Sequence, residues 1–234
     1  MDANVAERLV ETPHDYAATG AITQSSVDDV TSTVVIIDDD ISVRESLDVL
    51  IRTEGWEPES FASAEEFLAH PRGTVPCCVL LDLTLPGLSG LQLQKQLAGR
   101  LDMPIIFISG YSDVPMTVQA MKAGAFEFLT KPLRIDLLVP AIHDALERSR
   151  AAIRLDCEMR PLTNCYESLT PREREVMTLV VSGLLNKQVG FELGISEVTV
   201  KAHRGQVMRK MLAESLPDLV TMATRLGLRP GAKH

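Results

Sequence analysis

The sequence has few cysteines and no cysteine pattern suited to zinc. Its four cysteines form no CxxC pair and no Cys/His spacing that would hold a structural metal. Cys77 and Cys78 are adjacent in the apolar run CCVLLD, where a thiol behaves as a small apolar side chain. We therefore expect buried cysteines in a reducing cytosol, rather than a zinc or redox site.

Long apolar runs are also absent. No stretch approaches the roughly 20 residues that a membrane-spanning helix needs. The N-terminal sequence MDANVAERLVETPHDY contains no apolar segment like the core of a signal peptide. These absences predict a cytoplasmic protein with no membrane partner.

Basic residues are in the minority, and they are unevenly distributed. The chain has 23 basic and 32 acidic residues, for a net charge of -9. Residues 1–164 carry 13 basic and 25 acidic side chains, a net -12, whereas residues 165–234 carry 10 and 7, a net +3. A basic C-terminal module on an acidic protein is expected when only that module binds a polyanion.

Composition and periodicity divide the chain into four regions. Residues 1–32 are polar and lack sustained periodicity, which predicts a flexible N-terminal extension. Residues 33–150 alternate five short apolar runs with five helical patterns. This alternation predicts an α/β fold with a flavodoxin-like, doubly wound, five-stranded parallel sheet in the order 2-1-3-4-5. Its last helix is predicted to end near Arg154, within a linker at residues 151–163, before an all-α domain at residues 164–234.

Polar side chains follow four of the predicted strands. The first strand ends in Asp38-Asp39-Asp40, the third in Asp82 and the fourth in Ser109, and Lys131 follows the fifth. The carboxyl ends of parallel strands meet at one edge of a sheet. Clustered carboxylates favour Mg²⁺, and the lysine and hydroxyl suit an incoming phosphoryl group. Each residue alone is more typical of a helix cap or a turn, so the prediction depends on the joint pattern.

Three motifs at these positions carry a family resemblance. They are VVIIDDDISVRESL, VLLDLTLPGLSGLQL and PIIFISGYSDVPMTVQAMKAGAFEFLTKPL. Together they resemble the receiver domain of two-component response regulators, and the third is similar to the FixJ-type subfamily. The resemblance implies that Asp82 accepts the phosphoryl group. It also implies that Asp39 binds Mg²⁺ directly, Asp38 through water, and Thr84 through its backbone carbonyl.

The same resemblance implies a switch next to the phosphorylation site. Ser109 corresponds to the hydroxyl that moves toward the phosphoryl group, Phe128 to the aromatic ring that follows it, and Lys131 to the lysine that pairs with the phosphate. Leu133 departs from the family pattern, in which phenylalanine more often follows Lys-Pro. This departure concerns local packing and leaves the chemistry unchanged.

Helix signals in the C-terminal region predict a helix-turn-helix. Thr170, Pro171 and Glu173 form a capping box with proline at the first helical position. Two further helices, Asn186 to Leu193 and Glu197 to Leu212, are predicted on either side of a short turn that contains Gly194. In the last of these helices Val200, Val207, Met208, Met211 and Leu212 are expected to face inward.

The region around residues 164–229 resembles the LuxR-type DNA-binding domain through LTPREREVMTLVVSGLLNKQVGFELGISEVTVKAHRGQVMRKM. The resemblance implies that Lys201, Ala202 and Gly205 approach base edges. It implies backbone contacts or docking supports at Lys187, Thr199, His203, Arg204 and Arg209. Gly190 departs from the alanine that is usual in the second helix. On charge alone, these basic residues would more often be a solvated helix face.

The combined expectation is a response regulator of the FixJ type that controls transcription, as an activator. Its expected partners are a sensor histidine kinase, double-stranded promoter DNA and RNA polymerase, and it is expected to form a homodimer on phosphorylation. No turnover of an external substrate is expected. One alternative is a Mg²⁺-dependent enzyme with an aspartyl-phosphate intermediate, which typically has a second acid where this chain has Thr84. The other is a receiver-based protein adaptor, which salt-sensitive binding to duplex DNA would distinguish.

Overall fold

The computed structural model describes residues 31–71, 73–110 and 114–228. Most of the predicted N-terminal extension at residues 1–32 lies outside these ranges. Within them, an α/β region precedes a group of helices, as the fold-class prediction stated.

The α/β region is built on a parallel sheet of five strands. Their order is β2-β1-β3-β4-β5, which confirms the predicted topology. Every residue of β1, β3 and β4 is buried, because helices cover both faces of a doubly wound sheet. The strands are β1 (Thr33–Ile37), β2 (Glu57–Phe61), β3 (Cys77–Asp82), β4 (Ile105–Ser109) and β5 (Glu127–Thr130).

Helices alternate with these strands, and the first three begin at polar caps. The Asp40 side chain accepts from the Ser42 amide at the start of the first helix, and Ser63 and Ser89 cap the next two. Alternate residues along the strands belong to two apolar clusters, one on each face of the sheet. The helices are α1 (Ile41–Thr53), α2 (Ala64–Ala69), α3 (Gly90–Gln96), α4 (Val114–Lys122) and α5 (Ile135–Glu167).

The prediction that the last helix of the sheet region ends near Arg154 is wrong. α5 runs without interruption for 33 residues, through the predicted linker and past Pro161. A proline in a helix interior removes one hydrogen bond and crowds the preceding turn. Packing outweighs this cost, because Ile153 is buried before the proline and Leu162 is buried directly after it, in the core of the C-terminal helices.

Four more helices follow in the described part of the chain, and the first begins at the predicted sequence signal. Thr170 and Glu173 form the predicted capping box with Pro171 at the first turn. A Cβ at Gly190 would lie 2.7 Å from the Ile195 carbonyl oxygen, so the absence of a side chain permits the close approach of helix and turn. The helices are α6 (Pro171–Val181), α7 (Asn186–Leu193), α8 (Glu197–Met211) and α9 (Leu216–Arg225).

The inward face predicted for α8 is correct except at its end. Val200, Val207 and Met211 are buried and Met208 is half-buried. Leu212, predicted to face inward, is 73% exposed. It is the C-cap, with φ of 57°, and this left-handed conformation turns its side chain out of the helical register.

Candidate phosphorylation site and nucleic-acid interface

The carboxyl edge of the sheet brings three aspartates together. Asp38 directly follows β1 and is fully buried, Asp82 ends β3 and is 6% exposed, and Asp39 is exposed. One carboxylate oxygen from each lies within 4.8 Å of the others. Asp40 instead caps α1, so only two of the three consecutive aspartates belong to this acid cluster of Asp38, Asp39 and Asp82.

Lys131 joins two members of the acid cluster. Its Nζ donates to Asp38 Oδ2 and to Asp82 Oδ2, each at 2.7 Å. The backbone N–H of Lys131 also donates to the Ser109 carbonyl at 2.7 Å, which ties the segment after β5 to the end of β4. The peptide bond between Lys131 and Pro132 is cis. The ammonium group is thus held between the buried acid and the predicted phosphoacceptor.

Burial and ion pairing oppose each other in this pair of groups. Burial raises the pKa of the Asp38 carboxyl above its usual range, although the Lys131 hydrogen bond acts to lower it. Burial alone would lower the pKa of Lys131, but its hydrogen bonds to Asp38 and Asp82 raise that pKa overall. Lys131 is therefore fully protonated near neutral pH.

The donor set of the acid cluster fits Mg²⁺. All three groups offer oxygen, which hard divalent cations prefer, and one lysine does not neutralise three carboxylates. The Thr84 N–H donates to Asp82 Oδ1 at 2.8 Å, so the loop after β3 folds back toward the cluster. Asp38, Asp39, Asp82 and the Thr84 carbonyl are the groups that would hold the ion.

The two predicted switch residues lie on adjacent strands. Ser109 is buried at the end of β4, and Phe128 is half-buried on β5. The Phe128 ring lies 6.3 Å from the Phe107 ring, centroid to centroid. Leu133, the departure from the family pattern, packs against the apolar cluster beneath α1 and α5.

Sequence reasoning did not single out two residues that contact the backbone of the acid cluster. A Cβ at Gly90 would lie 2.4 Å from the Asp82 carbonyl oxygen, so α3 can approach β3 this closely only with glycine there. Arg44 on α1 donates from Nη1 to the Asp38 carbonyl at 2.5 Å. The GLSGLQL segment after β3, which contains Gly90, indicates a tight turn. No feature of the sequence near Arg44 indicates its contact.

The predicted DNA-contacting residues lie along α8 and at the start of α7. The exposed residues among those predicted on α8 are Thr199, Lys201, Ala202, Gly205 and Arg209, whereas His203 and Arg204 are half-buried. Lys201 pairs with Glu197 at 3.1 Å across one helical turn, and Lys187 is exposed on α7. Exposed cations on two neighbouring helices can meet the phosphates on either side of a groove.

Arg204 is less free than the sequence suggested. Its Nη1 donates to Asn186 Oδ1 at 3.2 Å, which joins α8 to the first residue of α7. The contact orients the guanidinium beside the N-terminus of α7, where an anion is favoured. Asn186 was not among the predicted site residues, and it precedes Lys187 in the sequence NK.

A second ion pair stabilises this domain at the far end of α8. Lys210 donates to Glu173 Oε2 at 2.6 Å and to the Ser168 carbonyl at 3.1 Å. The Lys210 hydrogen bond lowers the pKa of the Glu173 carboxyl. The pair fixes α8 against the start of α6, so we assign it a structural role rather than DNA contact.

Across the described ranges, none of the helices is both long enough and apolar enough to cross a membrane.

Comparisons with known proteins match both regions of the chain. The response regulator receiver domain family matches residues 34–143, and the luxR family of bacterial regulatory proteins matches residues 167–223. The chain is 46% identical to nodulation protein W of Bradyrhizobium diazoefficiens over 92% of this chain and 93% of the relative. It is 38% identical to the transcriptional regulatory protein FixJ of the same species, over 83% and 96%. The structure of response regulator StyR superposes with a TM-score of 0.67 at 44% identity, covering 84% of this chain and all of StyR.

Proposed function

The chain belongs to the FixJ-type response regulators, with a receiver domain and a LuxR-type domain, and on that premise we propose that phosphorylation of Asp82 by a sensor histidine kinase controls its binding to promoter DNA. The observation that carries this proposal is the bridge from Lys131 Nζ to Asp38 and Asp82 beside the exposed Asp39. A nucleophile, a cation and cation-binding oxygens are adjacent there, as phosphoryl transfer requires.

The residues divide the transfer between them. A carboxylate oxygen of Asp82 attacks the phosphorus of a phosphohistidine. The P–N bond breaks, the imidazole leaves, and an acyl phosphate forms on Asp82. Lys131, already protonated and 2.7 Å from Asp82 Oδ2, offers its positive charge to the phosphoryl oxygens. Bound Mg²⁺ would supply further neutralisation of the negative charge at this site.

The experiment is phosphorylation of the full chain by acetyl phosphate with Mg²⁺, read by intact-protein and peptide mass spectrometry. We expect one phosphoryl group, on Asp82, and none on Asp82→Asn. Phosphorylation of Asp39→Ala should no longer depend on Mg²⁺. Lys131→Ala should still accept phosphate but signal poorly. Asp136→Asn, an exposed acid on α5 that pairs with Arg134, is the matched control. Wild-type labelling of Asp82→Asn would refute the assignment of the phosphoacceptor.

We propose that α8 enters the major groove of promoter DNA. Support comes from the net charge of +3 in residues 165–234 and from the exposed residues of α8. Lys201, Ala202 and Gly205 face the base edges in this proposal. Lys187, Thr199, His203, Arg204 and Arg209 contact the phosphates or support docking. We expect the protein to act as an activator that contacts RNA polymerase.

Salt titrations of DNA binding test this division of roles. Replacing a phosphate-contacting residue such as Arg209 with alanine should reduce the slope of log affinity against log salt by about 1, equally on all DNA sequences. A base contact such as Lys201 should instead relax the preference for one base pair. Arg160→Ala is the control, because Arg160 is an exposed arginine on α5 that pairs with Asp156. Absence of salt-sensitive binding to duplex DNA would favour the adaptor alternative.

We propose that the two domains communicate through dimerisation of the receiver. Val114 and Val118 on α4 are 71% and 44% exposed, and Met121 is 41% exposed; exposed apolar side chains on one helix favour an interface. Ser109 and Phe128 link the phosphorylation site to α4 and β5 in this proposal. Phosphorylated wild type should be dimeric by analytical ultracentrifugation, and Val118→Asp should be labelled normally yet remain monomeric.

A further inference from the structure

Arg44 lies beside the acid cluster but donates to its backbone rather than to a carboxylate. The guanidinium is half-buried on α1, and Nη1 is 2.5 Å from the Asp38 carbonyl oxygen. Among the described residues this is its one hydrogen bond, and it forms no ion pair there. A hydrogen bond from a charged donor is about twice as strong as a neutral one, so this contact is a strong restraint on one peptide group.

That peptide group joins Asp38 to Asp39. Pairing of β1 with both neighbouring strands ends at Ile37, so the Asp38 carbonyl lies just beyond the sheet ladder. The rotation of this peptide sets the direction in which the Asp39 side chain leaves the backbone. Arg44 therefore acts on Asp39 through the chain, without touching its carboxylate.

The two acids differ in how they are held. Asp38 Oδ1 accepts from the Asp40 N–H at 3.0 Å, and Asp38 Oδ2 accepts from Lys131 at 2.7 Å. The exposed Asp39 carboxylate has no hydrogen bond among the described residues. Its position in the acid cluster thus depends on its backbone, and Arg44 holds that backbone from α1.

We propose that Arg44 is a positioning residue for the cation site, which fixes the Asp38–Asp39 peptide so that Asp39 is held ready for Mg²⁺. This inference rests on the proposed function, in which the acid cluster binds that ion. The alternative is that Arg44 acts through its charge alone, since a guanidinium beside a cation site repels the cation. The two effects have opposite signs when Arg44 is neutralised: lost positioning weakens Mg²⁺ binding, whereas lost repulsion strengthens it.

The test is Mg²⁺ affinity of the unphosphorylated full chain, measured by isothermal titration calorimetry. Removing a group that orients a metal ligand typically costs about 10- to 100-fold in affinity, so we expect Arg44→Met to bind Mg²⁺ at least about tenfold more weakly. Arg44→Lys keeps the charge and part of the reach, and should fall between Met and wild type. Arg52→Met is the matched control, because Arg52 is an exposed arginine on the same helix that pairs with Asp48 and Glu57.

The outcomes separate this inference from the function on which it rests. Unchanged or tighter binding by Arg44→Met overturns the positioning role of Arg44. Wild type that fails to bind Mg²⁺, or Asp39→Ala that binds it as wild type does, overturns the cation site itself and the inference with it. Circular dichroism without Mg²⁺ checks folding; if Arg44→Met does not fold, Arg44→Lys carries the test, and wild-type affinity in that variant counts against the proposal.

Discussion

Gly205 lies in the interior of α8, and its replacement by alanine separates the stability of this helix from its contact with DNA. The residue is exposed, and a Cβ placed there meets no atom within 4 Å. Glycine in a helix interior is about 1 kcal/mol less favourable than alanine. Gly205→Ala should therefore raise the free energy of unfolding of the C-terminal domain by about 1 kcal/mol.

Gly183 provides a matched control in the same domain. A Cβ there also meets no atom within 4 Å, but its φ is +89°, and the left-handed region costs other residues about 1–2 kcal/mol. Gly183→Ala should thus destabilise the domain, although both substitutions add one methyl group in open space. Thermal unfolding followed by circular dichroism should show shifts of opposite sign, of about 4–8 °C for each kcal/mol in a domain of this size.

DNA binding by the same two variants tests where α8 lies. Glycine allows a ligand to approach the backbone closely, so a methyl group at Gly205 should weaken DNA binding if this surface meets base edges. Gly183→Ala should leave affinity unchanged at temperatures where it is folded. A Gly205→Ala protein that is less stable than wild type refutes the open-helix argument, and one that is more stable and binds DNA equally well places the groove contact elsewhere on α8.

Three further predictions concern stability. Ser149 is fully buried, accepts from one backbone N–H at 3.0 Å and donates to a backbone carbonyl at 2.5 Å. Ser149→Ala should therefore lower the free energy of unfolding, measured in urea, by about 1–3 kcal/mol. The control Ser46→Ala, at an exposed position, should change it little. Pro161→Ala should stabilise the chain, by up to about 3 kcal/mol, and a loss of stability would contradict the continuous α5. Lys210→Met should cost about 1 kcal/mol at neutral pH. Lys210 lowers the pKa of the Glu173 carboxyl. The stabilisation by this pair is therefore present above the unfolded pKa of about 4.3 and is lost as the pH falls through the lowered folded value. The difference in stability between Lys210→Met and wild type should thus shrink in acid.

The sequence predicted the sheet because its strands have a local signature. VVII, CCVLLD and PIIFIS are continuous apolar runs, which parallel strands buried on both faces require. The right-handed crossover rule then leaves few strand orders. The acids were assigned to one edge for the same reason, since a residue that directly follows a strand has its position fixed by the topology. No knowledge of side-chain contacts was needed for either prediction.

Contacts between elements distant in the chain could not be predicted in this way. The hydrogen bond from Arg204 to Asn186 and that from Lys210 to Glu173 depend on how α8 crosses α7 and α6. Arg44 reaches the Asp38 carbonyl only because α1 packs back against β1. The sequence shows such residues as ordinary charged positions on helices, and only the packed structure distinguishes them from solvated ones.

The error at the end of α5 has a consequence for the boundary between the domains. The sequence predicted an end near Arg154, but a helix is stabilised mainly by the apolar face that it buries. The first half of α5 buries Leu138 and Ile142 under the sheet, and its second half buries Leu162 among α6, α8 and α9 with Met159 packed against the same core. One helix therefore belongs to both cores, and a DNA-binding fragment cut at Leu162 would lose part of its own core. A fragment that begins at Leu155 keeps that packing. DNA binding by this fragment would show that the C-terminal domain binds on its own, whereas failure of a shorter fragment would follow from the loss of its core.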